Sequence, residues 1–170
     1  MSVLCRKHQT IGPGCSQCRE FEEMNRNAVY VIGALGNPEV IPFTIELEEQ
    51  GFNPFSEWHT PGPEADTYLL KYAKARGWSY KRALESYAAR HVFEFDKEHI
   101  DRCPIVVMLA PTGKSGHLEL GYALGQGKRG YIYFPTEPER FDVMYQFATG
   151  IFFDKAELFD ELRKQIGEKT

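Results

Sequence analysis

The stretch from Ile105 to Tyr122 reads IVVMLAPTGKSGHLELGY and decides the fold class of this chain of 170 residues. It opens with five consecutive apolar residues, a run that is typical of a strand buried on both faces of a parallel sheet. A loop with Gly113 and Gly116 follows, and a helix is expected to begin near Ser115. Open α/β sheets bind their ligands where such a strand, loop and helix start come together.

Glu119 is expected in or near the first turn of this helix. An acid at this position often does no more than complement the positive end of the helix dipole. Alternatively, its carboxylate faces a ligand in a cleft beyond the strand. The stretch alone leaves both roles open, and the strand order of the sheet bears on the choice.

Four further short strands alternate with helices along the chain, and this alternation predicts a parallel α/β sheet. The five strands are expected at residues 28–32, 51–55, 105–109, 130–134 and 151–153. At this length the common strand order is 2-1-3-4-5, in which the loops after strands 1 and 3 flank one cleft. Residues 33–37 and 111–119 then face that cleft, which favours a cleft role for Glu119 beside its dipole role.

Two other loops carry candidate ligand contacts. After strand 1, Gly33 leaves room for a phosphate or sugar near the backbone, and Asn37 is a candidate helix cap. The turn lacks the dinucleotide fingerprint G-x-G-x-x-G, and a plain strand-to-helix turn explains it equally well. After strand 2, Trp58 and His59 have rings that suit a planar ligand, although surface packing is the alternative.

Between strands 2 and 3 the sequence predicts a long helical excursion, with one helix over residues 64–76 and a second pattern from Ser79 to residue 102. Its length is typical of a lid or a dimer face. Asp96 lies near its end, between Phe95 and Lys97. Aromatic neighbours raise the pKa of a carboxyl by desolvation, whereas charged neighbours are typical of an ordinary exposed helix acid.

Residues 1–27 differ from the rest and contain two paired ligand motifs, Cys5-x2-His8 and Cys15-x2-Cys18. Each pair can reach one tetrahedral ion, and four protein ligands leave no open position for water. The spacing therefore predicts a structural zinc site in a short N-terminal segment, followed by one domain over residues 28–170. The alternatives are four unrelated residues in a frayed tail, or redox-active thiols.

The composition argues against several classes of protein. A net charge of −4 and a pI near 5.8, with no basic run, argue against binding to nucleic acid or to an anionic membrane. No apolar run approaches the length of a membrane span, and the N-terminus has no apolar signal segment. We therefore expect a cytoplasmic protein that acts on a small molecule and uses no organic cofactor.

The residues from Gly116 to Ala123, GHLELGYA, followed by Gly127 and Lys128, resemble the signature of the nucleoside 2-deoxyribosyltransferase family, which includes nucleoside 5′-monophosphate N-glycosidases. The first strand with its turn, and residues 143–145, are similar to the corresponding family segments. The resemblance covers about residues 28–164. It implies a flavodoxin-like (Rossmann-like) sheet, an enzyme that cleaves an N-glycosidic bond, and a homodimer or higher homo-oligomer.

Residue by residue, the resemblance implies that Glu119 is the nucleophile. Its carboxylate attacks the anomeric carbon of the sugar and forms a glycosyl–enzyme intermediate, which water or another base resolves. The resemblance also implies that Tyr30 orients this carboxylate and that Asp96 contacts, and protonates, the departing base. Further contacts to the substrate are expected from Gly33, Asn37, Trp58, His59, Gly113, Ser115, Gly116, His117, Met144 and Tyr145.

Two departures from the family pattern matter, and the paired Cys/His segment is one of them. The other is Gly113: many transferases carry an acid here, six residues before the nucleophile, that contacts the 5′ hydroxyl of the sugar. Thr112, Lys114, Ser115 and His117 suit a phosphate better, which favours a nucleotide substrate and hydrolysis. A non-catalytic nucleotide-binding module and an NAD glycohydrolase are the alternative functions.

Overall fold

The computed structural model describes residues 25–167, which form one parallel sheet with helices on both faces. Its strands are β1 Ala28–Ile32, β2 Asn53–Phe55, β3 Ile105–Leu109, β4 Arg129–Tyr133 and β5 Gly150–Phe152. The strand order is β2-β1-β3-β4-β5, and all neighbouring strands are parallel. The predicted five-stranded α/β sheet and its strand order are therefore confirmed.

β1 and β3 form the middle of the sheet, and every residue of both strands is buried. Alternate side chains enter different layers. Val29 and Val31 of β1 pack into one core, while Tyr30 and Ile32 pack into the other. Two buried faces require an apolar side chain at nearly every position, which explains the continuous apolar runs in the sequence.

The helices of the described part are α1 Val40–Glu49, α2 Ala65–Ala75, α3 Tyr80–Leu84, α4 Tyr87–Arg102, α5 Lys114–Gly125 and α6 Lys155–Gly167. Leu47 of α1 and Leu158 of α6 pack into the first core. Ile100 of α4 and Leu120 of α5 pack into the second core, on the other face of the sheet. The sheet is thus the middle layer of three.

Two of the expected helices differ from those in the structure. The pattern from Ser79 to residue 102 is not one helix, because the Ser86 hydroxyl accepts a hydrogen bond from the N–H of Ala89 at 3.3 Å and starts α4 anew. The sequence of residues 141–148 also predicts a short helix, and the structure has a 3-10 helix there, Val143–Phe147. Asp142 caps it by accepting a hydrogen bond from the N–H of Met144 at 2.9 Å. Short polar side chains compete in this way with a continuous α-helix.

The chain leaves β1 and β3 in opposite directions at the carboxyl edge of the sheet. α1 follows β1 and packs on one face, whereas α5 follows β3 and packs on the other. The two connecting loops therefore separate at this edge and leave a cleft between them. This is the switch point at which open α/β sheets bind ligands.

The four predicted zinc ligands, Cys5, His8, Cys15 and Cys18, lie outside the described residues. The zinc site and the domain boundary at residue 27 therefore stay predictions. Within residues 25–167, no group of three or more His, Cys, Asp or Glu side chains is placed to hold a metal ion. Over the same range, no helix is both long enough and apolar enough to cross a membrane.

Candidate active site

A cleft of about 510 Å³ opens at the switch point. Its walls come from the loops after β1, β2 and β3, from the starts of α2 and α5, and from one face of α4. Several residues that the sequence predicts for the site line this cleft together: Gly33, Trp58, Asp96, Gly113, Ser115, Gly116 and Glu119. Segments that are far apart in the sequence thus meet around one space.

Glu119 reaches the cleft from the second turn of α5, because that helix begins at Lys114. It therefore lies near the first turn rather than in it. The helix dipole acts mainly within the first turn. The cleft role of Glu119 is accordingly favoured over the dipole role.

Asp96 lines the same cleft from α4, and the two carboxyl groups influence each other. Burial raises the pKa of Glu119 to about 7, and the negative charge of Asp96 adds to the shift. Burial also raises the pKa of Asp96 to about 6, against a smaller lowering effect of His99. Because the two groups are coupled, we expect them to share one proton near neutral pH. Such a pair holds a proton donor and an ionised carboxylate at once.

Tyr30 on β1 lies close enough to both carboxyls for their charges to affect it. Its side chain is buried, and its ring stacks on Phe55 with the centroids 5.6 Å apart. Burial, together with the charges of Glu119 and Asp96, raises the pKa of Tyr30 far above its ordinary value, so the phenol stays neutral. No hydrogen bond joins its hydroxyl to Glu119 in the described part of the chain, and the orienting role of Tyr30 stays a prediction.

Two oxygen atoms of residues that line the cleft are buried and have no hydrogen-bond partner among residues 25–167. They are Oδ1 of Asp96 and Oγ1 of Thr112. Buried polar atoms in proteins are nearly always paired. These two atoms therefore mark positions where a bound ligand can complete a hydrogen bond.

Trp58 is fixed as a wall of the cleft by one hydrogen bond. Its Nε1 donates to the carbonyl oxygen of Val31 at 2.8 Å, one residue beyond the last β1–β2 pair, Tyr30 and Phe55. The ring lies against Gly33, where an added Cβ would come within 3.3 Å of Trp58 Cη2. The indole thus has a defined position and can offer a flat surface to a planar ligand.

The other five predicted substrate contacts do not line the cleft in this structure: Asn37, His59, His117, Met144 and Tyr145. Asn37 Oδ1 accepts a hydrogen bond from the N–H of Glu39 at 3.0 Å, ahead of α1. The ring of His59 meets that of Trp58 edge-on. Met144 is exposed on the 3-10 helix. Binding roles for these residues stay predictions.

His117 is engaged within the protein at both of its ring nitrogens. Nδ1 donates to the carbonyl oxygen of Gly113 at 2.8 Å, which leaves Nε2 to accept from the Tyr145 hydroxyl at 2.9 Å. The two rings also stack, with their centroids 5.9 Å apart. His117 therefore holds the 3-10 helix 143–147 against the start of α5.

Sequence reasoning missed three ionisable side chains of the cleft, Glu57, Asp66 and His91. Glu57 precedes Trp58 in a loop that was already expected to meet a ligand. His91 lies on the same face of α4 as Asp96, because residues 91, 92, 95 and 96 follow helical spacing. Asp66 gave no local signal, since only tertiary packing brings the start of α2 to the cleft.

Comparison with solved structures identifies a similar fold in the 2-deoxyribosyltransferase of Bacillus psychrosaccharolyticus, with 20% identity and a TM-score of 0.55 over 78% of this chain and 90% of that chain. The CMP N-glycosidase of Clostridium botulinum aligns with 14% identity and a TM-score of 0.39 over 80% of this chain and 98% of that chain. No protein-family model and no curated protein matches the sequence. At 20% identity, the first alignment establishes a shared fold.

Proposed function

We propose that this protein is an enzyme that cleaves the N-glycosidic bond of a nucleoside or nucleotide, with Glu119 as its nucleophile. The observation that carries the proposal is the pair of partly buried carboxyls, Glu119 and Asp96, that line one cleft at the switch point of the sheet. Two further findings support it. They are the fold shared with a 2-deoxyribosyltransferase and the resemblance of residues 116–123 to the signature of that family.

In the first step, a carboxylate oxygen of Glu119 attacks the anomeric carbon of the sugar. The bond from this carbon to the base nitrogen breaks, and its electron pair goes to the base. The reactive form is the one in which Asp96 holds the shared proton and Glu119 is ionised, and in it Asp96 donates that proton to the departing base. Because burial raises the pKa of Glu119 to about 7 and that of Asp96 only to about 6, this form is the less populated of the two singly protonated forms. The step produces a glycosyl ester on Glu119, a neutral base and an ionised Asp96.

In the second step, water or another base attacks the same carbon, and the ester bond to Glu119 breaks. Glu119 returns to its carboxylate form, while Asp96 takes up the proton that the attacking nucleophile loses. The Glu119 carboxylate also stabilises the positive charge that develops on the sugar in both steps. Attack by water gives hydrolysis, and attack by a base gives transfer.

The walls of the cleft suit the two halves of such a substrate. The planar base fits against the indole of Trp58, which a hydrogen bond to the backbone holds in place. The sugar then lies over the start of α5, next to Glu119 and to Thr112 Oγ1, which has no hydrogen-bond partner among residues 25–167. The neutral phenol of Tyr30 can donate a hydrogen bond to the Glu119 carboxylate once a substrate is bound.

We extend the proposal to the assembly. An apolar surface supports a homo-oligomer: the side chains of Leu118 on α5 and of Phe147 on the 3-10 helix are 76% and 70% exposed. The contact between His117 and Tyr145 holds these two elements against each other. A cytoplasmic location, and a structural zinc ion bound by the four Cys and His side chains of residues 1–27, complete the proposal.

The proposal is tested with a panel of ribonucleosides, deoxyribonucleosides and their 5′-monophosphates, each incubated with and without an added acceptor base. Chromatography would detect a free base or a new nucleoside. We expect product from the wild type and none from Glu119→Ala. Glu139→Gln, at an exposed loop residue outside the cleft, serves as the matched control and should keep full activity. Absence of any Glu119-dependent product across the panel would favour a non-catalytic nucleotide-binding module.

A further inference from the structure

The charged side chains that line the cleft are mostly acidic. Asp96 and Glu119 are partly buried, whereas Glu57 and Asp66 are exposed. We call the exposed carboxyls of Glu57 and Asp66 the acidic mouth of the cleft. His91 on α4 is the remaining ionisable group of the lining. Within the described part of the chain, no lysine or arginine lines this cleft.

The negative charge of these carboxyls exceeds the partial positive charge at the N-terminus of α5. A helix N-terminus carries roughly half a positive charge. Four acids line the cleft, and even a pair of carboxyls that shares one proton, as we expect of Asp96 and Glu119, keeps one full negative charge. The hydroxyl of Ser115 and the first N–H groups of α5 can bind an anion in a neutral setting, but here the surrounding charge is negative.

In the sequence, Lys114 and His117 favour a phosphate. In the structure they do not change the negative charge of the cleft lining. Neither residue lines the cleft. His117 already uses both ring nitrogens, towards Gly113 and Tyr145. As placed in this structure, these two side chains add no positive charge to the lining of the cleft.

We infer that the acidic mouth formed by Glu57 and Asp66 makes the enzyme selective for uncharged nucleosides over their 5′-monophosphates. This inference rests on the proposed function. A 5′-monophosphate carries about −1.5 to −2 charges at pH 7, and when its sugar lies at Glu119 it shares the cleft with these two exposed carboxylates. A 5′ hydroxyl carries no charge and can donate a hydrogen bond to either carboxylate.

The test compares kcat/KM for one nucleoside and for its own 5′-monophosphate, with the full-length protein. We expect the wild type to prefer the nucleoside by about tenfold or more at low salt. The Glu57→Gln/Asp66→Asn variant should reduce this preference by about fivefold, while Glu139→Gln should leave it unchanged. Raising the salt to about 0.5 M should increase kcat/KM of the wild type for the monophosphate by about threefold and leave that for the nucleoside nearly constant, because salt screens the repulsion.

The possible outcomes distinguish failure of the inferred selectivity from failure of the proposed function on which it rests. Glu119-dependent turnover of monophosphates at the rate of nucleosides, or faster, would overturn the selectivity and leave the proposed function standing. A nucleoside preference that neither salt nor the double substitution changes would overturn the role of Glu57 and Asp66. Absence of Glu119-dependent turnover across the whole panel of nucleosides and monophosphates would overturn the proposed function itself, and the selectivity with it.

Discussion

Trp58 donates a hydrogen bond from Nε1 to the carbonyl oxygen of Val31 at 2.8 Å, where the pairing of β1 with β2 has already ended. This bond ties the loop after β2 to the middle of the sheet. It also holds the indole ring against Gly33, at the edge of the cleft. One side-chain donor therefore sets the position of the wall against which we place the base.

Replacement of Trp58 by Phe removes this donor and keeps an aromatic ring. We expect the free energy of unfolding to fall by about 1–2 kcal/mol, because the Val31 carbonyl loses its partner. KM for the nucleoside should rise more than kcat falls, since the wall binds the base and takes no part in bond cleavage. Urea unfolding and steady-state kinetics measure the two effects.

Tyr80→Phe, at a side chain that is 82% exposed, is the control and should change neither the stability nor KM. Equal stability of Trp58→Phe and the wild type would show that the bond contributes nothing.

Two glycines of α5 should respond in opposite ways to alanine. At Gly116 an added Cβ would lie 2.5 Å from Thr112 Oγ1 and 2.9 Å from Ile32 Cγ2, so the helix start must shift, and we expect a loss of about 1–3 kcal/mol in stability. At Gly121 a Cβ would meet no atom of the described residues within 4 Å. Alanine there should stabilise the helix by up to about 1 kcal/mol. Chemical unfolding of both variants is the measurement, and shifts of the same sign would contradict the close packing of Gly116.

The two strands in the middle of the sheet, β1 and β3, could be predicted from the sequence because each is a continuous apolar run. The predicted bounds of β1 and β3 agree with the structure, since strands buried on both faces need unbroken apolar runs. The order of the strands followed from the common topology at this length, and it placed Gly33 and Glu119 at one cleft.

The part of the cleft lining that Asp66 and His91 contribute could not be predicted in this way. Asp66 and His91 belong to helices whose place over the switch point depends on tertiary packing, and no local pattern encodes it. The start of a new helix at Ser86 could not be predicted either, because a serine can continue one helix or cap the next one. A substrate contact of His117 stays a prediction, whereas its hydrogen bond to the Tyr145 hydroxyl depends on tertiary packing and could not be predicted from a local pattern.

The dependence of activity on pH should be bell-shaped, with its maximum between about pH 6 and pH 7. Below this range both Asp96 and Glu119 are protonated and no nucleophile is present, since burial raises their pKa values to about 6 and about 7. Above it both are ionised and the base receives no proton. Asp96→Asn should lower kcat by about 10²–10⁴-fold. It should also lower the pKa of Glu119, because the charge of Asp96 is one cause of the raised value. A profile that is flat from pH 5 to pH 8 would contradict the paired mechanism.

Metal analysis of the purified full-length protein should find about one zinc ion per chain, bound by four side chains of the N-terminal segment. Cys15→Ser should lower the zinc content, because it removes one of the four ligands. Cys103→Ala is the matched control: this thiol is free and buried in the core beneath α4 and α5, so its loss should leave the zinc content unchanged. A wild-type protein that is stably folded and free of metal would show that no structural zinc site exists.

Glu119→Gln should stabilise the protein at pH 8 even though it abolishes turnover. The folded state raises the pKa of Glu119 from 4.5 to about 7, so folded molecules bind more protons than unfolded ones between these values. The contribution of this group to stability is therefore fully present below about pH 4.5 and is lost as the pH rises to about 7. Glutamine carries no charge and escapes this loss, so we expect a gain of about 1–3 kcal/mol at pH 8 and little gain at pH 4.5. Urea unfolding at both pH values, with Glu139→Gln as control, measures the difference. A gain of equal size at both pH values would mean that packing, and not the desolvated charge of Glu119, separates the variant from the wild type.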